Sequence, residues 1–285
     1  MDLEPDGIVP PDDGGKPGRD PVVQRIEAML DEDRFEDALE AIQEALADGE
    51  GNPLDLTFLL GDTYLSLGRA AEAEVQFRRV LEQDPDCPSS RCWLAMSLFL
   101  QWRFDEAEAA AVAARELPDA IVDAHIVYGA ILERRGRLDE AEGCFERAAA
   151  MAPEKYPRPV RMTRAEFDRE VRMAVRKLPR QFRQALDRVP VVVQDLPDES
   201  LAAGEDRDEV GPDILGLFDG VPLPETDELD LNHTKPNTIY LFQRNLERAA
   251  RDRADLIEQI RITLWHELGH YLGFEEEDMD GLGLA

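Results

Sequence analysis

FEDALEAI (35–42), AAEAEVQF (70–77), FDEAEAAA (104–111) and LDEAEGCF (138–145) are one phrase written four times. Their shared alanines, Ala38, Ala73, Ala107 and Ala141, stand 35, 34 and 34 residues apart. A small residue recurring at that step is the arithmetic of a helical hairpin stacked on copies of itself, because a methyl group lets two helices approach closely. Other positions keep the register. Twelve residues before the alanine stand Gly61, Ala95 and Gly129, and four residues after it stand Ile42, Phe77, Ala111 and Phe145. Pro85, Pro118 and Pro153 close three of the hairpins. The first unit lacks the earlier small residue and has Ile26 there, so three clear repeats and one weak one are expected.

This pattern resembles the tetratricopeptide repeat family over roughly residues 22–153. The resemblance implies a concave groove that receives a peptide or a helix. In this register Phe58, Leu65, Met96, Phe99 and Ile126 are the candidate partner-binding residues on the inner face of the first helices. A structural role, in which the repeats pack on the neighbouring domain and cover or orient its cleft, is the equal alternative.

Outward from the repeats the composition changes on both sides. Residues 1–21 combine Pro, Gly and Asp with almost nothing to bury and are expected to be a disordered acidic tail. Of the 285 residues, 62 are acidic and 32 basic, a formal charge of -30. That sign repels phosphate backbones and anionic lipid, which excludes nucleic acid and membrane surfaces as expected partners. Cys87, Cys92 and Cys144 form no CxxC pair, and no apolar run is long enough to span a bilayer. The opening MDLEPDGIVP has neither the basic start nor the apolar stretch of a signal peptide, so a reducing, cytoplasmic setting is expected.

Beyond the linker EKYPRPVRM (154–162), Phe167, Val171, Val175 and Leu178 recur at helical spacing. Val191–Val193 reads as a buried strand, DILGLFDG (213–220) and NTIYLFQ (237–243) as two more. The stretches 195–212 and 221–236 read as loops. From about Arg253 to Tyr271, Leu256, Ile260, Leu264 and Leu268 mark an amphipathic helix. The expected architecture is therefore multidomain: an all-α array of helical hairpins over 22–155, then an α+β domain over 156–285 with a small sheet and a C-terminal metal-binding helix.

That last helix carries WHELGHYLGFEEED (265–278), in which His266, Glu267 and His270 form HExxH. Residues four apart share a helix face, so both imidazoles can reach one ion while Glu267 sits beside a water on it. With only 4 His in the chain, roughly 0.01 such matches arise by chance. Gly273 can end the helix in a left-handed turn and send the chain back toward the metal. A catalytic zinc takes three protein ligands, so a third is needed. Six residues after His270 stands Glu276, the preferred third ligand; Glu275, Glu277 and Asp278 are alternatives that a solvated acidic helix start equally explains. His125 falls at a packing position in the third clear repeat and is expected in the core, and His233 is expected at the surface. Tyr240 and Tyr271 are conceivable oxyanion donors, more readily explained as core.

Taken together, RKLP (176–179), VVVQDLP (191–197), LGLFDGVPL (215–223), TIYLFQRNLER (238–248) and HELGHYLGFEEED (266–278) resemble the small bacterial zincin-like metallopeptidases, sometimes called minimal zincins, over about residues 160–285. The resemblance implies one zinc ion held by His266, His270 and Glu276, Glu267 as general base, and a peptidase whose substrates the family does not reveal. The loop 195–211 is acidic, the segment before TIYLFQ (238–243) is long, and no Met-turn follows the metal helix, three departures from that family's pattern. Thr238–Gln243 is the candidate edge strand for pairing with an extended substrate. The functional expectation is a zinc peptidase acting on peptide or protein substrates recruited by the repeats. The alternative is a non-catalytic scaffold or adaptor with a degenerate zincin module.

Overall fold

The computed structural model describes residues 20–202, 210–223 and 237–274. Eight helices make the repeat array in four hairpins: α1 (Pro21–Asp31) with α2 (Phe35–Asp48), α3 (Pro53–Ser66) with α4 (Ala70–Gln83), α5 (Pro88–Leu100) with α6 (Phe104–Arg115), and α7 (Asp123–Arg134) with α8 (Leu138–Met151). The first unit folds like the rest, with Ile26 fully buried in its hairpin. It begins at Asp20, whose carboxylate accepts from the N–H of Val22 at 2.9 Å, so the helical array starts slightly before residue 22. The rest of the expected tail, 1–19, lies outside the described residues.

The phased alanines Ala38, Ala73, Ala107 and Ala141 are all fully buried. The earlier small position is explained by the later large one. A Cβ at Gly61 would lie 2.8 Å from the Phe77 ring, and one at Gly129 would collide with the Phe145 ring. Where the later residue is Ala111, the earlier position is Ala95, which already has a Cβ. Size is thus exchanged between two sequence positions sixteen apart, and the interior stays filled.

Each hairpin turns through one residue in left-handed backbone: Asp33 (φ 57°), Gly68 (φ 73°), Trp102 (φ 62°) and Gly136 (φ 70°). For a bulky residue that conformation costs about 1–2 kcal/mol. Trp102 recovers it outside the array: its indole N–H donates to the carbonyl of Val210 at 3.0 Å, and the Arg134 guanidinium stacks over its ring at 4.8 Å.

The C-terminal domain follows with α9 (Arg164–Lys177), α10 (Arg180–Ala185), β1 (Val191–Gln194), a 3-10 turn at Glu199–Ala202, β2 (Gly216–Asp219), β3 (Thr238–Phe242), α11 (Gln243–Ala249) and α12 (Arg253–Leu272). The sheet order is β1-β3-β2, parallel between β1 and β3 and antiparallel between β3 and β2. Thr238–Phe242 is therefore the central strand, with four of five residues buried, and Gln243 opens α11. The expectation of an exposed edge at Thr238–Gln243 is corrected: a run apolar on both faces belongs in the middle of a sheet. The core of this domain joins Phe167, Ile239, Leu241, Leu246, Leu256, Ile260 and Leu264, placing α9 and α12 against the sheet.

A buried charge network joins the two domains. Glu133 at the end of α7 is 1% exposed in its side chain and pairs with Arg161 of the linker at 2.7 Å and with Arg248 of α11. Arg161 also pairs with Glu142 of α8 at 2.7 Å and with the fully buried Glu247 of α11 at 3.0 Å. Glu247 further accepts from the N–H of Met162 at 2.9 Å and from the Gln243 amide at 2.8 Å. Carboxylates this deep are tolerated because cations and hydrogen bonds surround them.

Candidate metal centre and its cleft

Helix α12 is positioned from both ends. Asp252 caps its start, accepting from the N–H groups of Ala254 and Asp255 at 2.7 and 2.9 Å. Leu256, Ile260, Leu264 and Leu268 anchor one face in the core. At the other end Gly273 adopts φ 79° and the N–H of Phe274 donates to the carbonyl of Gly269 at 3.0 Å, the hydrogen bond of a glycine-terminated helix. The helix thus ends at Leu272 with Gly273 in left-handed backbone, as the glycine spacing predicts.

On the opposite face His266 and His270 converge. Their Nε2 atoms are 3.0 Å apart and their rings meet nearly at right angles, centroids 4.7 Å apart. Two imidazole nitrogens on one zinc, each about 2.0–2.1 Å from it, stand roughly 3.3 Å apart in a tetrahedral shell, so this pair fits such an ion with a small adjustment. The third ligand position, Glu276, and its alternatives Glu275, Glu277 and Asp278 lie outside the described residues, as does His233. Among the described residues no group of three His, Cys, Asp or Glu side chains forms a metal site.

Glu267 is 7% exposed and lies beside the strand β2. A Cβ at Gly216 would be 2.6 Å from Thr263 Cγ2 and 2.8 Å from Glu267 Oε1. Glycine at 216 is thus what lets the strand backbone pass directly over the carboxylate. The two elements wall a cleft of about 920 Å³, with Gln259, Thr263, His266, Glu267 and His270 on the helix side and Gly216, Leu217 and Phe218 on the strand side. Among the described residues β2 is an outer strand of the sheet, on the side that faces the metal helix.

The remaining candidates fall elsewhere. Tyr271 is 2% exposed and packs on Phe218, ring centroids 5.6 Å apart, while Tyr240 stacks on Phe242; neither lines the cleft. His125 is buried, and its Nδ1 accepts from the Arg115 guanidinium at 3.2 Å, so it is a packed core histidine. Burial foremost, with Arg115 and Arg147 nearby, holds its pKa below the ordinary histidine value. In the array, Phe58, Leu65, Met96 and Ile126 are half-buried. Phe99 is 2% exposed and belongs to the core beside Phe104, which corrects its expected place on the partner-binding face.

Sequence reasoning missed Gly216, Trp102 and the Glu133–Arg161–Glu247 network. Trp102 alone left a readable trace, standing where the 34-residue register puts Gly68 and Gly136. The other two depend on pairings between distant segments.

Comparison with known proteins follows the same division. Residues 186–284 match the family model of zincin-like metallopeptidases, and residues 29–97 and 94–156 match two tetratricopeptide repeat models. The chain therefore carries tetratricopeptide repeats followed by a zincin-like metallopeptidase domain. Similar solved structures are tetratricopeptide repeat proteins. One is YrrB, described as having an unusual peptide-binding site (20% identity, TM-score 0.39, 47% of this chain and 68% of that one). Another is a thermophilic repeat protein from Thermus thermophilus (19% identity, TM-score 0.42, 46% and 73%). A third is MamA (21% identity, TM-score 0.38, 45% and 74%). No curated protein matches.

Proposed function

We propose that the chain is a zinc-dependent peptidase whose ion is held by His266, His270 and Glu276, with Glu267 as general base. The observation that carries this reading is the convergence of the two Nε2 atoms to 3.0 Å on the face of α12 that meets the cleft. A bound zinc supplies Lewis acidity, making water a stronger acid and a peptide carbonyl a better electrophile. An extended substrate pairs along the outer edge of β2, so that its backbone crosses above Glu267 where Gly216 leaves room. Glu267 accepts a proton from the attacking water at a carboxylate oxygen and returns it to the leaving amine nitrogen. The low exposure of Glu267 keeps bulk water from competing for that proton.

Tetratricopeptide repeats generally mediate protein or peptide binding. Here they recruit the protein substrate, and the buried Glu133–Arg161–Glu247 network holds them at a set angle to the cleft. Free thiols at Cys87, Cys92 and Cys144 support a reducing, cytoplasmic setting. Among the described residues no helix is long and apolar enough to cross a membrane.

The test is metal content and peptide cleavage measured together. The wild type is expected to bind one zinc and cut members of a peptide library. Glu267→Ala is expected to keep the metal and lose at least about 10³-fold in kcat, and His266→Ala to lose both metal and activity. If His266→Ala changes neither metal content nor activity, the reading fails and the domain is a scaffold.

A further inference from the structure

A second cavity adjoins the cleft where the peptidase domain meets the repeat array. The segment leading into β2 is a partition with a cavity on each side: Val210 and Ile214 line the catalytic cleft, while Gly211, Asp213 and Ile214 line a second cavity of about 740 Å³. The far wall of that cavity is the repeat array, from Arg69 and Glu72 at the α3–α4 turn to Gln101 and Trp102 after α5. The bond from Trp102 to Val210 and a 3.8 Å approach of Leu100 to the Cβ direction of Gly211 hold wall and partition together.

Inside this cavity most charges are already matched. Arg69 pairs with Glu72 at 2.7 Å and stacks on Tyr64 at 4.6 Å, and the Gln101 amide donates to Glu74 at 2.9 Å. Asp213 differs. Its carboxylate is folded over Gly211, where a Cβ would be 2.7 Å from Oδ1, and it accepts from its own backbone N–H. Among the described residues it has no ion-pair partner, and burial raises its pKa above the ordinary carboxylate value, Arg248 offsetting this in part.

We propose that Asp213 is the specificity-determining residue of a distal subsite, built jointly by the peptidase domain and the repeat array, that takes a lysine or arginine side chain of the substrate. The proposal rests on the peptidase reading above. Asp213 precedes Gly216, the residue over Glu267, by three positions, and a chain spans at most about 3.3–3.6 Å per residue, so the recognised cation lies within about three residues of the cleaved bond. A net charge of -30 favours the approach of basic segments for the same reason.

The test uses the full-length zinc-loaded chain and short peptides carrying Lys, acetyl-lysine, Ala or Glu in turn at each position around the cleaved bond. Lys is expected to exceed acetyl-lysine in kcat/KM by about tenfold or more at one position within about three residues of that bond, mainly through KM. Asp213→Asn is expected to bring that ratio near one, and Asp213→Lys to turn the preference toward Glu. A wild-type ratio near one at every position, or a ratio that Asp213→Asn leaves intact, overturns the proposal. If Asp213→Asn does not fold, the wild-type Lys to acetyl-lysine ratio decides alone. If no peptide is cut, the peptidase reading fails by itself. Equilibrium binding of the Lys and acetyl-lysine peptides to wild type and Asp213→Asn then decides the subsite, equal binding overturning it.

Discussion

The repeat array and the peptidase domain solve the same problem, filling an interior, by opposite means. In the array each hairpin packs on the next in sequence, and the interior is settled by trading volume between fixed positions, as Gly61 with Phe77 and Gly129 with Phe145 show. In the peptidase domain the sheet pairs Val191 with Ile239 in parallel, and the buried Glu247 is satisfied by Arg161 and Met162 from the linker. The lesson is that the array tolerates local error, because each unit answers only to its neighbours. The second domain depends on contacts that no short stretch contains.

The sharpest way to break this contrast is at the junction. Arg161→Met leaves Glu133 and Glu247 buried with too little positive charge and is expected to cost about 3–5 kcal/mol. Calorimetry should then show the array and the peptidase domain melting separately; a single unshifted transition would mean that the network does not couple them.

Within the array the trade in volume can be tested alone. Gly129→Ala is expected to cost about 1–3 kcal/mol by driving a methyl into the Phe145 ring. Adding Phe145→Ala reproduces the arrangement of the second clear repeat, Ala95 with Ala111, and urea denaturation should show the double variant losing less than the sum of the single losses.

The equivalent substitution in the peptidase domain should register in the chemistry more than in the fold. Gly216→Ala presses on Thr263 and Glu267, and an expected stability cost of about 1–2 kcal/mol accompanies a fall of at least about tenfold in kcat with zinc content retained. Removing the carboxylate in Gly216→Ala/Glu267→Ala should relieve part of the stability loss, a readout that needs no turnover.

The most local effect is expected at Trp102. Trp102→Gly relieves the left-handed backbone by about 1 kcal/mol but removes a buried indole, its bond to Val210 and its packing on Phe104 and Arg134, for an expected net loss of about 2–4 kcal/mol. Hydrogen exchange should rise most in residues 210–215. Exchange unchanged at 210–215 would place the anchor elsewhere.

These expectations also mark how far the chain could be read unaided. The repeats and the HExxH helix were legible because their signals are local: a 34-residue step, a four-residue step, and a glycine just past the helix end. The order of the strands was not. Thr238–Phe242 is rich in β-branched and aromatic residues, which identifies a strand but says nothing of its neighbours, and its place at the centre is decided by β1 and β2 arriving from distant segments. Gly216 reads in the sequence as a weak strand residue, and only the helix passing beneath it gives the missing side chain a reason. Asp213 reads in the sequence as the first residue of a strand and one acidic residue among 62; the fold begins that strand at Gly216 and sets Asp213 beside a turn of the array. Phe99 followed the periodicity of the inner face correctly but was claimed by Phe104 and the core.

Solenoids commonly lengthen or shorten by duplicating or deleting whole units, since one unit is interchangeable with another. The tryptophan at the second clear hairpin ends that freedom here. A unit copied from either neighbour would bring glycine to the bend, and a unit inserted after that hairpin would carry the indole some distance from the carbonyl it meets, so the array ahead of the peptidase can grow only on the N-terminal side of the tryptophan.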